Sequence, residues 1–450
     1  MRFTLSEVLR ATAGRHLSGP LDREFRGVAT DSRTLREGEL FVALKGPRHD
    51  GHDYLEDALR AGAAGAVVAR GPVPEGLAAV VVPDTLKALG DLGRLARHKA
   101  GLRVIAVTGS AGKTTTKELA SALVRAAGLP VLTSPGNWNN RVGVPLSLLR
   151  ATGDEAVAVL ELGVSEPGEM ADLSRIAEPD VAVITNVAPC HTEGLGGLEG
   201  VIREKMQIVR GLRPGGVLVL PHGDPRLSPP KGVRTVTFGW EPGADVRGED
   251  YAPRGLQGCV FRAEGKEIRL PLPGRHNALN ALAALAAVQA LGAAVKAPEE
   301  AWAGVRLPRL RAEVRTTRSG VRLLVDCYNA NPRAVEAALE TLAELAGGAR
   351  KVAVLGEMRE LGALCREGHE AVGRAAVRYG VDELHLLGPA TVSVREAATQ
   401  AGLPPDRVWM YEDREALAAA LGRVLRPGDW VLIKGSRALG LEAVAEALES

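Results

Sequence analysis

The segment VIAVTGSAGKTTTKELA (104–120) holds a glycine-bounded turn, Gly109-Ser110-Ala111-Gly112, running straight into Lys113-Thr114-Thr115. Such a turn lets backbone N–H groups converge on phosphate oxygens at the positive end of a helix. The lysine of such a loop reaches the β- and γ-phosphates, and the hydroxyl after it ligates Mg²⁺. The common form has a glycine six residues before the lysine. Val107 stands there in this chain, so the loop is a shorter variant. The chemistry is triphosphate binding, and the loop leaves open whether the terminal phosphate goes to water, a hydroxyl or a carboxylate. A guanine-selecting Asn-Lys-x-Asp run is absent, which argues against a GTPase switch.

Further polar residues fall where apolar runs end, the edge at which α/β sheets bind ligands. Glu161 closes AVAVLELG and emerges at the same edge as the loop, where one carboxylate plus phosphate oxygens suits Mg²⁺. His191 follows DVAVITNVAPC in a Gly-rich loop, and Lys205 lies in the helical pattern EGVIREKMQIV. Taken singly, these two read as a solvated histidine and a surface lysine. PGNWNNRVGVPLSLL (135–149) places three asparagines, Asn140 among them, in a turn before a helix, where such side chains often only satisfy the local backbone. LPGRHNALNALAA opens a helix with His276, Asn277 and Asn280, more than a cap alone requires. In LLVDCYNANP, Asp326 closes an apolar run and Asn329 and Asn331 follow.

These groups need a sheet to bring them to one edge. Short apolar runs alternate with helical patterns through VIAVTG, AVAVLELG, DVAVITN and GVLVLPHGD, which predicts a mostly parallel sheet with helices on both faces. After RLPRLRAEV the pattern restarts with VRLLVDCYNANP, KVAVLGEM, ELHLLG and DWVLIKGS, a smaller dinucleotide-fold unit. Ahead of the loop, LFVAL, GAVVA and AAVVV are strand-like, and a polar helix leads into the loop. The expected fold class is α/β in three domains: a small α/β domain over 1–83, a central P-loop mononucleotide-binding domain over 84–307, and a C-terminal Rossmann-like domain over 308–450. The length of 450 residues agrees with roughly 150 residues per domain.

Aromatic residues make up only 3%, so Ala, Val and Leu must build the cores. With 56 basic against 54 acidic residues, no overall field favours nucleic acid or an anionic membrane. Cys190, Cys259, Cys327 and Cys365 are far apart and form no metal-type pair, as expected of reduced thiols in a cytoplasmic protein. The N-terminal segment lacks the apolar core of a signal peptide, and the Ala-rich stretch 277–294, interrupted by Asn and Gln, reads as a buried helix.

Taken together, the stretches TDSRTLREGELFVALKG, VTGSAGKTTTKE, SPGNWNNRVGVPLSLL, LELGVSEPGEM, TNVAPCHTEGLG, LPGRHNALNALAA, DCYNANP, LGEMRELG and IKGSR resemble the Mur ligase family. YNANP and GEMRELG point to its branch that adds D-alanyl-D-alanine to UDP-N-acetylmuramoyl-tripeptide. The resemblance implies that ATP phosphorylates a peptide carboxylate and that an amine attacks the acyl phosphate, in peptidoglycan precursor synthesis. It implies ATP held by Gly109 to Thr115, Asn140, His276, Asn277, Asn280, Arg311 and Asp326, with two Mg²⁺ ions and Thr114, Glu161 and His191 as metal ligands. Lys113, Glu161 and His191 would be catalytic, as would Lys205, which aligns with a lysine that family members can carry as a carbamate. Asp31, Ser32 and Arg33 would meet the uridine-diphosphate end of the substrate. Asn329, Asn331 and the run Lys434, Gly435, Ser436, Arg437 would line the acceptor side. Cys327 stands where the family usually has an acidic or small residue, so no second carboxylate adjoins Asp326. Alternatives within the family are the tripeptide-forming ligase and folylpolyglutamate synthetase. Outside it, a nucleotide-dependent switch is the alternative. The chain is expected to act as a monomer.

Overall fold

The computed structural model describes residues 1–449. Three large sheets follow one another along the chain. The first has five strands, in the order Arg15–Ser18, Ala78–Val81, Gly65–Val68, Leu40–Val42, Val28–Ala29. Its last four strands are parallel and the first is antiparallel.

Helix α1 (Thr85–Lys99) is capped by Asp84, whose carboxylate accepts from the N–H groups of Leu86 and Lys87. Ala88, Leu89, Leu92 and Ala96 pack with Phe3, Leu5 and Val8 in the N-terminal core. Its polar side turns the other way, with Asp91 paired to Arg175 at 2.8 Å and buried Arg97 donating to Asp180 at 3.2 Å. The helix therefore joins two cores.

Then come β1 (Arg103–Thr108), α2 (Lys113–Ala126), β2 (Val157–Glu161) and β3 (Val181–Ile184). The nine-stranded central sheet places β1 between β2 and β3, parallel to both. From β1 the chain goes to one side for Val131–Thr133 and β2, then crosses to the other for β3. That reversal opens a crevice at the carboxyl end of β1. Side chains alternate between faces: Ile105, Val107, Val157 and Val159 enter one core, Val104, Ala106, Ala158 and Leu160 the other. Helix α3 (Arg275–Ala290) is buried along most of its length and shares the first core with Leu119, Ala120 and Leu123 of α2.

Beyond the parallel strands, Val246–Pro253, Cys259–Ala263 and Lys266–Leu270 add an antiparallel extension. No apolar run marks these strands, because Arg262, Glu267 and Arg269 on them face solvent.

The C-terminal sheet contains β4 (Arg322–Val325), followed by α4 (Pro332–Ala346), β5 (Lys351–Gly356), α5 (Cys365–Arg378) and β6 (Trp430–Lys434). Its order is Glu313–Thr316, β4, β6, β5, Glu383–Leu387, Val408–Tyr411, parallel except for the first strand. The four apolar runs form the inner strands. The two outer strands are short and carry charged or half-exposed residues, so they escape a hydrophobic search. Among the described residues no helix is long and apolar enough to cross a membrane.

Candidate active site between the central and C-terminal sheets

The phosphate loop connects β1 to α2. Val107 is fully buried in β1, level with Glu161 on one side and Val183 on the other. A glycine there would sit inside the sheet, so the turn can begin only at Gly109. Gly109 and Gly112 have φ of +147° and +81°. A Cβ at Gly112 would run into the Asn280 side chain, and one at Gly109 into Thr185. Gly112 caps α2 without a side-chain bond, leaving first-turn N–H groups open to an anion. Asn186, just past β3, braces the loop by accepting from Ala111 N at 3.1 Å and donating to Ala111 O at 2.9 Å. The Lys113 ammonium curls back to donate to Gly109 O at 2.8 Å.

Thr114 and Glu161 are each 1% exposed, and the threonine hydroxyl donates to the carboxylate at 2.6 Å. The other carboxylate oxygen accepts from Asn139 Nδ2 at 2.8 Å. His191 opens a one-turn helix at φ +52°, with its ring on the same cavity. Burial pushes the His191 pKa down, against the upward pull of Glu360. Among the described residues no three His, Cys, Asp or Glu side chains could hold a metal ion together. A hydroxyl, one carboxylate and one imidazole form an incomplete, oxygen-rich donor set. It suits a Mg²⁺ that takes its remaining ligands from phosphate and water.

The opposite wall comes from the third domain. Asp326 directly follows β4 and pairs with Lys434, at the end of β6, at 2.5 Å. Lys434 also donates to the carbonyls of Asp326 at 3.1 Å and Asn329 at 3.2 Å, so it braces this turn. Asn331 caps α4 by accepting from Ala334 N, and its amide donates to Ser110 O across the domain boundary at 3.3 Å. The Arg311 guanidinium lies 4.1 Å from the Tyr328 ring centroid, between Leu310 and Ala312, both left-handed. His276, Asn277 and Asn280 line the side formed by α3, and burial pushes His276 down to about 4, leaving it neutral at pH 7. These walls enclose about 460 Å³.

Family models match the chain as "Mur ligase family, catalytic domain" over residues 24–131, "Mur ligase middle domain" over 107–288 and "Mur ligase, glutamate ligase domain" over 310–437. The UDP-N-acetylmuramoyl-tripeptide–D-alanyl-D-alanine ligase of Bacillus subtilis is 36% identical over 426 residues, 94% of this chain and 93% of that protein. The chain belongs to the Mur ligase family. A solved structure of MurF from Acinetobacter baumannii is 30% identical, covers 100% of this chain and 99% of its own, and superposes with a TM-score of 0.90. MurF ligase from Thermotoga maritima in complex with ADP is 32% identical, covers 94% of this chain and 97% of its own, at a TM-score of 0.83.

Most residues expected from the family resemblance meet at this cavity: Ser110 to Thr115, Asn140, Glu161, His191, His276, Asn277, Asn280, Arg311, Asp326, Asn329, Asn331 and Lys434. Asn140 also does the local work its turn suggests, accepting from the N–H groups of Val142 and Gly143. Lys205 is not among the residues lining the cavity; it is 1% exposed, and its ammonium has no hydrogen bond or ion pair among the described residues. Burial pushes its pKa down to about 8, and Lys113 adds to the shift.

Asp31, Ser32 and Arg33 are not brought to the cavity. They form a partly exposed turn in the N-terminal domain in which Asp31 pairs with Arg33 at 2.6 Å. Gly435 to Arg437 are likewise outside it: the Ser436 hydroxyl accepts from Arg359 N and Arg437 pairs with Glu442 at 2.6 Å. Cys327 points into the C-terminal core, opposite in direction to Asp326, so a carboxylate there would not face the site. Asn139, Asn186 and Glu360 were missing from the sequence-based site. Each stands within a motif already noted, but only Asn139 adjoins an expected site residue, and only the fold shows what each of the three side chains meets.

Proposed function

We propose that this protein is an ATP-dependent ligase that joins D-alanyl-D-alanine to the terminal carboxylate of a UDP-N-acetylmuramoyl-tripeptide. The carrying observation is a triphosphate loop that faces third-domain residues across one cavity, in a chain similar to ligases of that name over nearly its whole length. A carboxylate is a poor electrophile, and phosphorylation installs a leaving group. A carboxylate oxygen attacks the γ-phosphorus, the bond to ADP breaks, and an acyl phosphate results. The dipeptide amine adds to the acyl carbon, inorganic phosphate departs, and the nitrogen loses a proton.

Positioning and charge neutralisation dominate such a transfer. The loop N–H groups hold phosphate oxygens, and Lys113 leaves Gly109 O to reach them. Thr114, Glu161 and His191 would hold Mg²⁺, which when bound neutralises phosphate charge. Two such ions fit this chemistry. Asn140, Asn277, Asn280, Arg311 and Asp326 bind the nucleotide, joined by a neutral His276 that donates a hydrogen bond without adding charge. Asn329, Asn331 and Lys434 border the acceptor. Asp31, Ser32 and Arg33 take the uridine-diphosphate end, and a carbamate on buried Lys205 would supply a further anion for a metal ion. The chain works as a cytoplasmic monomer in peptidoglycan precursor synthesis, and through it in cell shape and division.

Phosphate release across a panel of UDP-muramoyl peptides, with D-Ala-D-Ala, single amino acids and glutamate as acceptors, tests this. Release is expected only with the tripeptide and the D,D-dipeptide together. Preference for another acceptor overturns the assignment, and release without any carboxylate substrate points to a nucleotide switch.

A further inference from the structure

After β5 the segment 357–361 lies at the edge of the third domain and rests on the turn that carries His191. Glu193 N donates to Glu360 O at 3.2 Å, and the Thr192 hydroxyl donates to Leu361 O at 2.8 Å. The Glu360 carboxylate lies 2.5 Å from Nδ1 of His191, close enough to pair with it although the ring is not aligned for a hydrogen bond. Both partners are non-glycine residues in the left-handed region, His191 at φ +52° and Glu360 at +65°. Such conformations persist where the surroundings over-determine them, and here each sits against the other.

The segment is also pinned to its own domain. Met358 N donates to Nε2 of His369 at 3.0 Å, and Nδ1 of His369 lies 2.7 Å from Cys365 O. Arg359 N donates to the Ser436 hydroxyl at 2.8 Å, and Met358 and Leu361 are buried in the C-terminal core. Glu360 is thus presented from a rigid mount, although its own side chain is 58% exposed.

A carboxylate on one ring nitrogen of a histidine fixes the proton there and leaves the other nitrogen's lone pair free, the arrangement that orients imidazoles toward metals. In this protein the carboxylate belongs to a different domain from the histidine. We propose that Glu360 is the positioning residue of His191, presenting its Nε2 to the cavity only while the C-terminal domain is docked on the central one. This rests on His191 being a metal ligand.

The test uses the full chain holding the methylene analogue of ATP, titrated with Mn²⁺ and followed by electron paramagnetic resonance, with pulsed detection of a directly bound imidazole nitrogen. The nitrogen signal is expected in the unaltered protein and lost in His191→Ala. Glu360→Ala should weaken Mn²⁺ binding about ten-fold. Glu360→Gln should recover part of that loss, because its amide oxygen can take a proton on Nδ1 as its partner in place of the carboxylate. In a His191→Ala background, Glu360→Ala should cost nothing more. If His191→Ala changes neither signal nor affinity, the metal-ligand assignment fails and the proposal falls with it. If His191→Ala loses the signal but Glu360→Ala binds Mn²⁺ like the unaltered protein, the ligand assignment stands and the positioning role is overturned. An equal loss in both backgrounds overturns that role as well.

Discussion

Two lysines near the loop have opposite burdens. Lys113 must be charged and mobile, and it is held by a single carbonyl that a phosphate can replace. Lys113→Ala should abolish turnover with an unchanged unfolding temperature, and retained activity would remove it from the site. Lys205 is buried with its pKa near 8 rather than 10.5, so the folded state favours the neutral amine. The unfolded chain then binds more protons between those values, and stability rises with pH from about 8 to 10.5. Below pH 8 the buried charge costs about 3 kcal/mol. Lys205→Met should therefore raise stability at pH 7 in CO₂-free buffer, flatten that slope and lose activity, as urea titrations across pH will report. An unchanged slope would show that the group is solvated. Depleting bicarbonate should lower turnover if the neutral amine is carbamylated.

At the scale of elements, helix starts border the cavity: Lys113 opens α2, His276 and Asn277 lie in the first turn of α3, and Asn331 caps α4. Asn331 has two jobs: its oxygen caps α4 and its nitrogen reaches the phosphate loop. Asn331→Asp keeps an equally good cap but loses the donor. The unfolding temperature should hold while KM for ATP rises roughly ten-fold, the upper range for one lost hydrogen bond. A fall in stability without a change in KM would make the residue a cap alone. Gly112 ends its loop at a φ closed to most side chains and against Asn280. Gly112→Ala should eliminate ADP binding, read by calorimetry, without unfolding the central domain. Strands with unbroken apolar runs were legible from the sequence because both faces are buried. The extension at Val246–Leu270 and the outer C-terminal strands were not, since an exposed face interrupts the apolar run.

For the whole molecule, the cavity exists only where two domains meet. A further contact between these domains lies beyond it: the Tyr251 hydroxyl donates to Glu344 of α4 at 2.8 Å, with Arg275 4.7 Å from the Trp240 ring centroid nearby. Burial raises the Glu344 pKa, so the carboxylate depends on that hydroxyl when charged. Tyr251→Phe should cost about 1–2 kcal/mol at neutral pH and loosen docking. Small-angle scattering should show a larger radius of gyration for this variant without nucleotide and a normal one with ATP analogue. No change in either stability or size would make the contact incidental.

By itself the sequence determined the class of chemistry and the α/β layering, because a phosphate loop is a local device and buried parallel strands are local apolar runs. It also brought Glu161 and Asp326 forward, since a polar residue closing such a run must emerge at the binding edge. Tertiary structure decided the rest: that Asn139 rather than Asn140 meets Glu161, that Lys434 braces Asp326, that Asp31 to Arg33 lie outside the cavity, and that Glu360 meets His191. Each of these is a contact between residues distant in sequence or a choice of direction at a turn, and both depend on how separate sheets face one another.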